Sequence, residues 1–174
     1  LDVLCTDHRE THFLVEIQVR AKDDFVKRSV FYATKDYVTQ LKRGQSYHDL
    51  KPVVFLSILG FNLFPNKKHH KSIYRWRDDF DNQDDVKEIL LAFVQLEKFN
   101  KQEHELKNDE DRWIYFLKEI EKMDHIPKPL STGEFEEACL TAEETGWSES
   151  ERNAFDDAIT READHQGELR VARR

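Results

Sequence analysis

The chain has 174 residues, 39% of them hydrophobic and 36% charged, with a net charge of −8. That length suits one domain with a sizeable core, or a domain with a helical appendage, and the composition indicates a soluble, highly charged globular protein. No apolar run reaches the roughly 18 residues that a membrane helix needs, and no secretory signal is present. Cys5 and Cys139 are far apart and lack metal-ligand spacing, so both are expected as small buried apolar residues of a cytoplasmic protein. The chain opens on Leu1, already inside a strand, and therefore reads as a piece of a longer protein whose upstream segment is out of view. Its acidity is uneven. Residues 1–80 carry 14 Lys and Arg against 10 Asp and Glu, a net of +4, whereas residues 81–174 carry 13 against 25, a net of −12. A basic first half can meet a polyanion whatever the global charge, because each charge is screened beyond about 8 Å at physiological salt.

The first predicted element is a hairpin. LDVLCTD and HFLVEIQV are rich in Val, Leu, Ile and Phe and flank the polar run His8 to Thr11. Asp2 falls within the first strand, and Glu16 and Gln18, two apart, share one face of the second. A short turn brings Asp2 opposite Glu16 or Gln18. Two carboxylates on an otherwise apolar strand pair repel, and a divalent cation is the natural compensation; hard oxygen ligands suit Mg²⁺. The residues alone leave a second reading open, in which Asp2 is a frayed terminal residue and Glu16 faces solvent.

Ala21 to Gly44 is predicted as a helix, started by Asp23 or Asp24 and ended by Gly44, with Val26, Val30, Ala33, Tyr37 and Leu41 as its buried stripe. Arg28 and Tyr32 lie at i and i+4 and so share a face, which either looks toward the acidic hairpin or pairs with surface acids and packs. After a turn, PVVFLSILGFNLF between Pro52 and Pro65 is predicted as a strand buried on both faces, lying next to the hairpin, because its β-branched and aromatic content outweighs the helical alternative. NKKHHKSIYRWR follows as an exposed hairpin or loop. There Lys67, Lys68, Lys71, Arg75 and Arg77 can meet phosphates, while Tyr74 and Trp76 can stack on bases. His69 and His70, being adjacent, point opposite ways.

The acidic run DDFDNQDD fits no calcium loop and reads as a solvated turn. Val86 to Phe99 suggests another strand, and Asp109 starts a helix with Trp113, Phe116, Leu117, Ile120 and Met123 on one stripe. Pro127 and Pro129 mark a linker. Beyond it, Ser131 with Glu134 and Ser148 with Glu151 match the capping-box pattern, giving two helices with an acidic exterior and Phe135, Ala138, Cys139, Ala142, Ala154, Phe155, Ala158 and Ile159 on their buried faces. The terminal LRVARR reads as a frayed basic tail.

An Asp on one strand, Glu-x-Lys or a variant on the next, and then a helix resembles the core of the PD-(D/E)XK nucleases. More narrowly, LDVLCTD, VEIQV, the helix with Phe25, Arg28 and Tyr32, GQSYHDLKPVVFLSILGFNLF, LEKF and Trp113 resemble the Rpn family of recombination-promoting nucleases or transposases, from Leu1 to about Met123 and more loosely to the end. The resemblance implies an α/β, restriction-endonuclease-like core, a mixed sheet flanked by helices, over residues 1–125 with its N-terminal part missing, and a helical C-terminal extension over 126–174. It implies a Mg²⁺-dependent (or Mn²⁺-dependent) DNA endonuclease linked to recombination or transposition. In that scheme Asp2, Glu16 and the Ile17 carbonyl hold the metal. Asp2, Glu16, Gln18 and Arg28 form the catalytic set, and Lys27, Tyr32, Lys67, Lys68, Lys71, Arg75 and Arg77 contact DNA. Gln18 stands where the superfamily usually has lysine, which removes a positive charge from the site. A glutamate from an earlier helix, used by many relatives, would lie upstream of Leu1. A homodimer is compatible with this scheme. Two other classes remain: a catalytically weak DNA-binding module of the same fold, and a protein-interaction domain in which the hairpin acids pair with Arg28.

Overall fold

The computed structural model describes residues 3–123 and 125–144, and the chain divides into two compact units, residues 1–122 and 123–174. The first unit is built on five strands: β1 (Val3–Thr6), β2 (His12–Gln18), β3 (Val53–Leu59), β4 (Lys71–Tyr74) and β5 (Ile89–Gln95), with spatial order β1-β2-β3-β5-β4. β1 pairs antiparallel with β2, β2 and β3 are parallel, β3 and β5 are parallel, and β4 runs antiparallel at the far edge. This is the mixed α/β sheet expected. It carries α1 (Phe25–Thr39) and α2 (Asp109–Glu119); α3 (Gly133–Glu144) belongs to the second unit. Among the described residues no helix is long and apolar enough to cross a membrane.

The hairpin turn is made by Asp7. Its Oδ1 accepts from the backbone N–H groups of Arg9 and Thr11, both at 2.9 Å, and Glu10 takes the left-handed conformation at φ 63°. An Asx side chain that bonds its own downstream backbone is the local signature of such a turn. β1 is an edge strand exposed along its whole length, so Cys5 is exposed rather than buried as expected; Cys139 is buried in α3.

Because side chains alternate along a strand, each sheet face is fixed by one parity. Leu14, Val53 and Phe55, with Ile89 and Leu91, meet Ala33, Tyr32 and Tyr37 of α1. The opposite parity, Leu56 and Val94, packs on Phe99, Ile114 and Tyr115, so α2 covers the other face. A third cluster, Phe25, Leu59 and Phe93 with Phe61, Leu63 and Phe64, closes the α1 side at the C-terminal ends of β3 and β5.

The predicted stripe of α1 holds at Ala33 and Tyr37 but is shifted by one residue in the first two turns. Phe25, Ser29 and Ala33 are buried, whereas Val26 and Val30 are 39% and 47% exposed. Ser29 tolerates burial because its hydroxyl donates to the Phe25 carbonyl at 2.9 Å, inside the helix itself. α1 is also shorter than expected: Asp24 occupies the N-cap with left-handed φ 60° but without a side-chain cap bond, and the helix ends at Thr39, before the turn at Gly44. The apolar run after Pro52 is a strand only as far as Leu59. Gly60 ends it at a close approach, where a Cβ would stand 3.0 Å from the Val19 carbonyl oxygen, and its N–H donates to the Gln18 carbonyl at 3.0 Å.

The acidic run forms the expected turn around Asp78, whose carboxylate accepts from the Phe80 and Asp81 amides. α2 is capped by Asn108, which accepts from Asp111 N–H at 2.8 Å, and buries Asp111, Ile114 and Phe116; of the predicted stripe Phe116 is buried, while Trp113, Leu117, Ile120 and Met123 are half-buried. Ser131 does not cap α3, which begins at Gly133; its hydroxyl donates to the Lys128 carbonyl at 2.9 Å. The second predicted C-terminal helix, with Ser148, Glu151, Ala154, Phe155, Ala158 and Ile159, and the basic tail lie outside the described residues.

Candidate active site

The α1-facing parity of β2 is His12, Leu14, Glu16 and Gln18, so an acidic residue stands where the pattern calls for an apolar one. Glu16 is only 5% exposed. The register puts it beside Ser57 of β3, which pairs in turn with Phe93 of β5, and Phe93 with Ser72 of β4. One transverse row of the sheet thus reads Glu16, Ser57, Phe93, Ser72, and α1 runs over its Glu16 end.

Arg28 lies one turn into α1, on the same side as Tyr32. Its Nη2 is 3.8 Å from Glu16 Oε1, and its guanidinium carbon sits 5.9 Å from the centre of the Tyr32 ring. The helix therefore carries a cation directly to the buried carboxylate. Such compensation is what burial of an ionised acid demands, since an unpaired buried charge is far more costly than a paired one. With its side chain 35% exposed, Arg28 spans from the covered carboxylate to solvent.

Gln18 lies two residues beyond Glu16, half-buried on the same face, and its carbonyl is held by Gly60. Ile17 points to the opposite face and is 49% exposed. Asp2 lies outside the described residues. The described pairing of the hairpin ends at Val3 with Val15, one step before the position across from Glu16.

Ser57 was not among the residues expected from sequence, although the signal was present as one hydroxyl inside VVFLSIL. The other inward residues of β3 are Val53, Phe55 and Leu59, all fully or almost fully buried. Ser57 is 0% exposed and its Oγ has no hydrogen-bond partner among the described residues. Leaving a buried hydroxyl in that state costs about 1–3 kcal/mol. His12 and Asp36 were missed as well. His12 Nδ1 and Asp36 Oδ2 are 2.8 Å apart, tying the start of β2 to the last turns of α1.

The basic segment looks different from its sequence. Lys71 pairs with Glu110 at 2.6 Å, Arg75 with Asp84 at 3.2 Å, and Arg77 donates to the Asn82 carbonyl at 2.9 Å. Lys67 Nζ rests over the Tyr74 and Phe64 rings at 4.7 and 5.1 Å from their centres and donates to Tyr74 Oη. Lys68 and His69 are exposed. His70 stands edge-on to Phe99, and burial pushes its imidazole below the ordinary histidine range, only partly offset by the nearby Glu110. Lys27 is exposed and pairs with Asp24 at 2.9 Å; that hydrogen bond and charge raise its ammonium above the usual value. Tyr32 packs against the core and the Phe31 ring.

Among the described residues no three His, Cys, Asp or Glu side chains gather as a metal site. The buried Glu16 carboxylate beside α1 is nevertheless a donor of the kind a hard cation takes. A hard divalent cation that keeps most of its waters needs only one or two carboxylates, so Glu16 fits such an ion as a ligand. No curated protein and no solved structure matches the chain. A family model described as PD-(D/E)XK nuclease family transposase matches residues 1–172. With that match spanning nearly the whole chain, and with strand-borne Glu16 on the face of a mixed sheet that the following helix covers, the chain belongs to the PD-(D/E)XK nuclease family transposases.

Proposed function

We propose that the protein is a divalent-metal-dependent DNA endonuclease that hydrolyses phosphodiester bonds in recombination or transposition. The observation that carries this reading is the buried Glu16 carboxylate under Arg28, in a chain of a nuclease family. Asp2 and Glu16 hold the ion, helped by the Ile17 carbonyl. Mg²⁺, or Mn²⁺ in its place, supplies a bound water of lowered pKa and polarises a phosphate oxygen.

The chain's own residues do the rest. Glu16 is fixed by the sheet, so its charge needs no reorganisation during reaction. Gln18 orients water through its amide but brings no charge. Arg28 supplies the positive charge that lysine gives elsewhere in the superfamily, directed at the negative charge that develops on the phosphoryl oxygens. DNA is the partner, contacted chiefly by Lys27, Tyr32, Lys67 and Lys68, with Lys71, Arg75 and Arg77 adding less because each already has a protein partner. A cytoplasmic homodimer accommodates this reading.

A second reading, a DNA-binding module that does not cleave, is favoured by one observation: Arg28 already pairs with Glu16 and the neighbouring Gln18 is neutral. The same pairing is what a protein-interaction domain would use, but such a domain has no need to bind DNA. Calorimetric titration of Mg²⁺ and Mn²⁺ into wild type and Glu16→Gln tests the first reading. Binding by wild type and its loss in the variant are expected; equal heats from both proteins rule the site out, and filter binding to duplex DNA then separates the remaining two.

A further inference from the structure

We propose that Ser57 is a positioning residue for the metal site, its Oγ accepting a hydrogen bond from a water carried by the cation at Glu16. The inference rests on the metal-binding reading of Glu16 given above. Three observations converge on it. Ser57 is the direct lateral neighbour of Glu16 in a parallel pair, on the same face, and adjacent strands are about 4.8 Å apart. It is fully buried, and its Oγ is without a hydrogen-bond partner among the described residues. It interrupts an inward series that is otherwise Val53, Phe55 and Leu59, positions at which an apolar side chain is what the core takes.

Serine at such a place is explained by a ligand rather than by packing. A cation bound by one or two carboxylates retains several waters, each with two polarised hydrogens that need acceptors. The Glu16 carboxylate has a limited number of lone pairs directed to that side, and Phe93 on the far side of Ser57 offers none. The Ser57 hydroxyl is the side-chain acceptor that the register sets directly beside Glu16 on the neighbouring strand. Groups that orient a metal's shell in this way typically account for 10- to 100-fold in metal affinity.

The test measures Mg²⁺ and Mn²⁺ affinity by calorimetry, with the melting temperature of the metal-free protein, for wild type, Ser57→Ala, Ser57→Thr and Glu16→Gln. Ser57→Ala should bind metal about 10- to 100-fold more weakly, and its metal-free melting temperature should be unchanged or higher, because an unpartnered buried hydroxyl has been removed. Ser57→Thr, which keeps the hydroxyl, should bind clearly more tightly than Ser57→Ala. Wild-type affinity in Ser57→Ala, or equal weakening in Ser57→Thr, overturns the proposal while leaving Glu16 as a ligand. Absence of binding by wild type itself overturns the Glu16 reading and this inference with it.

Discussion

Arg28 Nη2 and Glu16 Oε1 stand 3.8 Å apart, the first on a helix and partly exposed, the second on a strand and almost wholly covered. The spacing is longer than a tight bidentate pair, in which nitrogen and oxygen lie about 2.7–2.9 Å apart. A cation held this loosely compensates the carboxylate and still keeps donors for a phosphate. Arg28→Ala is therefore expected to lower single-turnover cleavage by about 10²- to 10³-fold at saturating Mg²⁺, without lowering metal affinity, because a like charge beside the ion has been removed. Gln18→Ala should be milder, since water replaces part of what an amide does. A wild-type rate in Arg28→Ala would place the compensating charge elsewhere.

Asp111 offers a stability test far from the chemistry. Burial pushes its carboxyl up, but the hydrogen bond from Lys101 Nζ, the Lys107 amide and the Lys101 charge outweigh burial and bring it below the usual carboxylate value. A carboxyl depressed in the folded state stabilises the fold above the unfolded value of 3.8 and loses that contribution as pH falls through its folded value. Asp111→Asn should cost about 1–3 kcal/mol near neutral pH, and the gap from wild type should narrow on acidification below about pH 4. Urea unfolding at several pH values reads this directly. A gap that is constant with pH would show that the pair contributes nothing electrostatic.

His70 acts at a higher pH. Its imidazole, depressed by burial, binds a proton less readily folded than unfolded, so its contribution is complete above the unfolded value of 6.5 and is lost as pH falls through the lower folded value. His70→Phe, which keeps a ring against Phe99, should remove that segment of the pH–stability curve just below pH 6.5.

The two kinds of lysine and arginine in the basic segment should separate by salt. Each phosphate contact adds about −0.9 to the slope of log affinity against log salt. Replacing Lys67 and Lys68 together by alanine should lower the slope by about 2. Replacing Lys71 and Arg75, already paired with Glu110 and Asp84, should change it less. A larger change from the second pair would mean that both carboxylates release their partners on DNA.

Gly60→Ala tests the joint between β2 and β3. The added Cβ would stand 3.0 Å from a backbone oxygen of Val19, which cannot rotate away, so a loss of about 1–3 kcal/mol is expected. A melting temperature within error of wild type would show that the strand ends spread freely.

Much of this arrangement was legible in the chain because period and turn chemistry are local. The hairpin could be placed from LDVLCTD and HFLVEIQV, and Glu16 and Gln18 could be put on one face by counting in twos. Which face α1 would cover could not. Two helical stripes one residue apart, Val26–Val30 and Phe25–Ser29, differ only in whether a serine can satisfy itself, and Ser29 does so through the Phe25 carbonyl. Cys5 is exposed, against its apolar character, because burial of a strand residue depends on strand order and β1 is an edge. The pairing of Lys71 with Glu110 joins residues 39 apart and has no signature in spacing. Ser57 escaped for the opposite reason: its strand was recognised, but a single hydroxyl in an apolar run acquires meaning only when the parallel register sets it beside Glu16.

The most direct test of the central claim is cleavage of a supercoiled plasmid by wild type and Glu16→Gln, each with Mg²⁺ and with excess chelator. Nicked or linear product from wild type with Mg²⁺ alone, and none from Glu16→Gln under any condition, is the expected pattern. Cleavage that survives chelation, or that Glu16→Gln retains at the wild-type rate, would contradict a metal-dependent nuclease centred on Glu16.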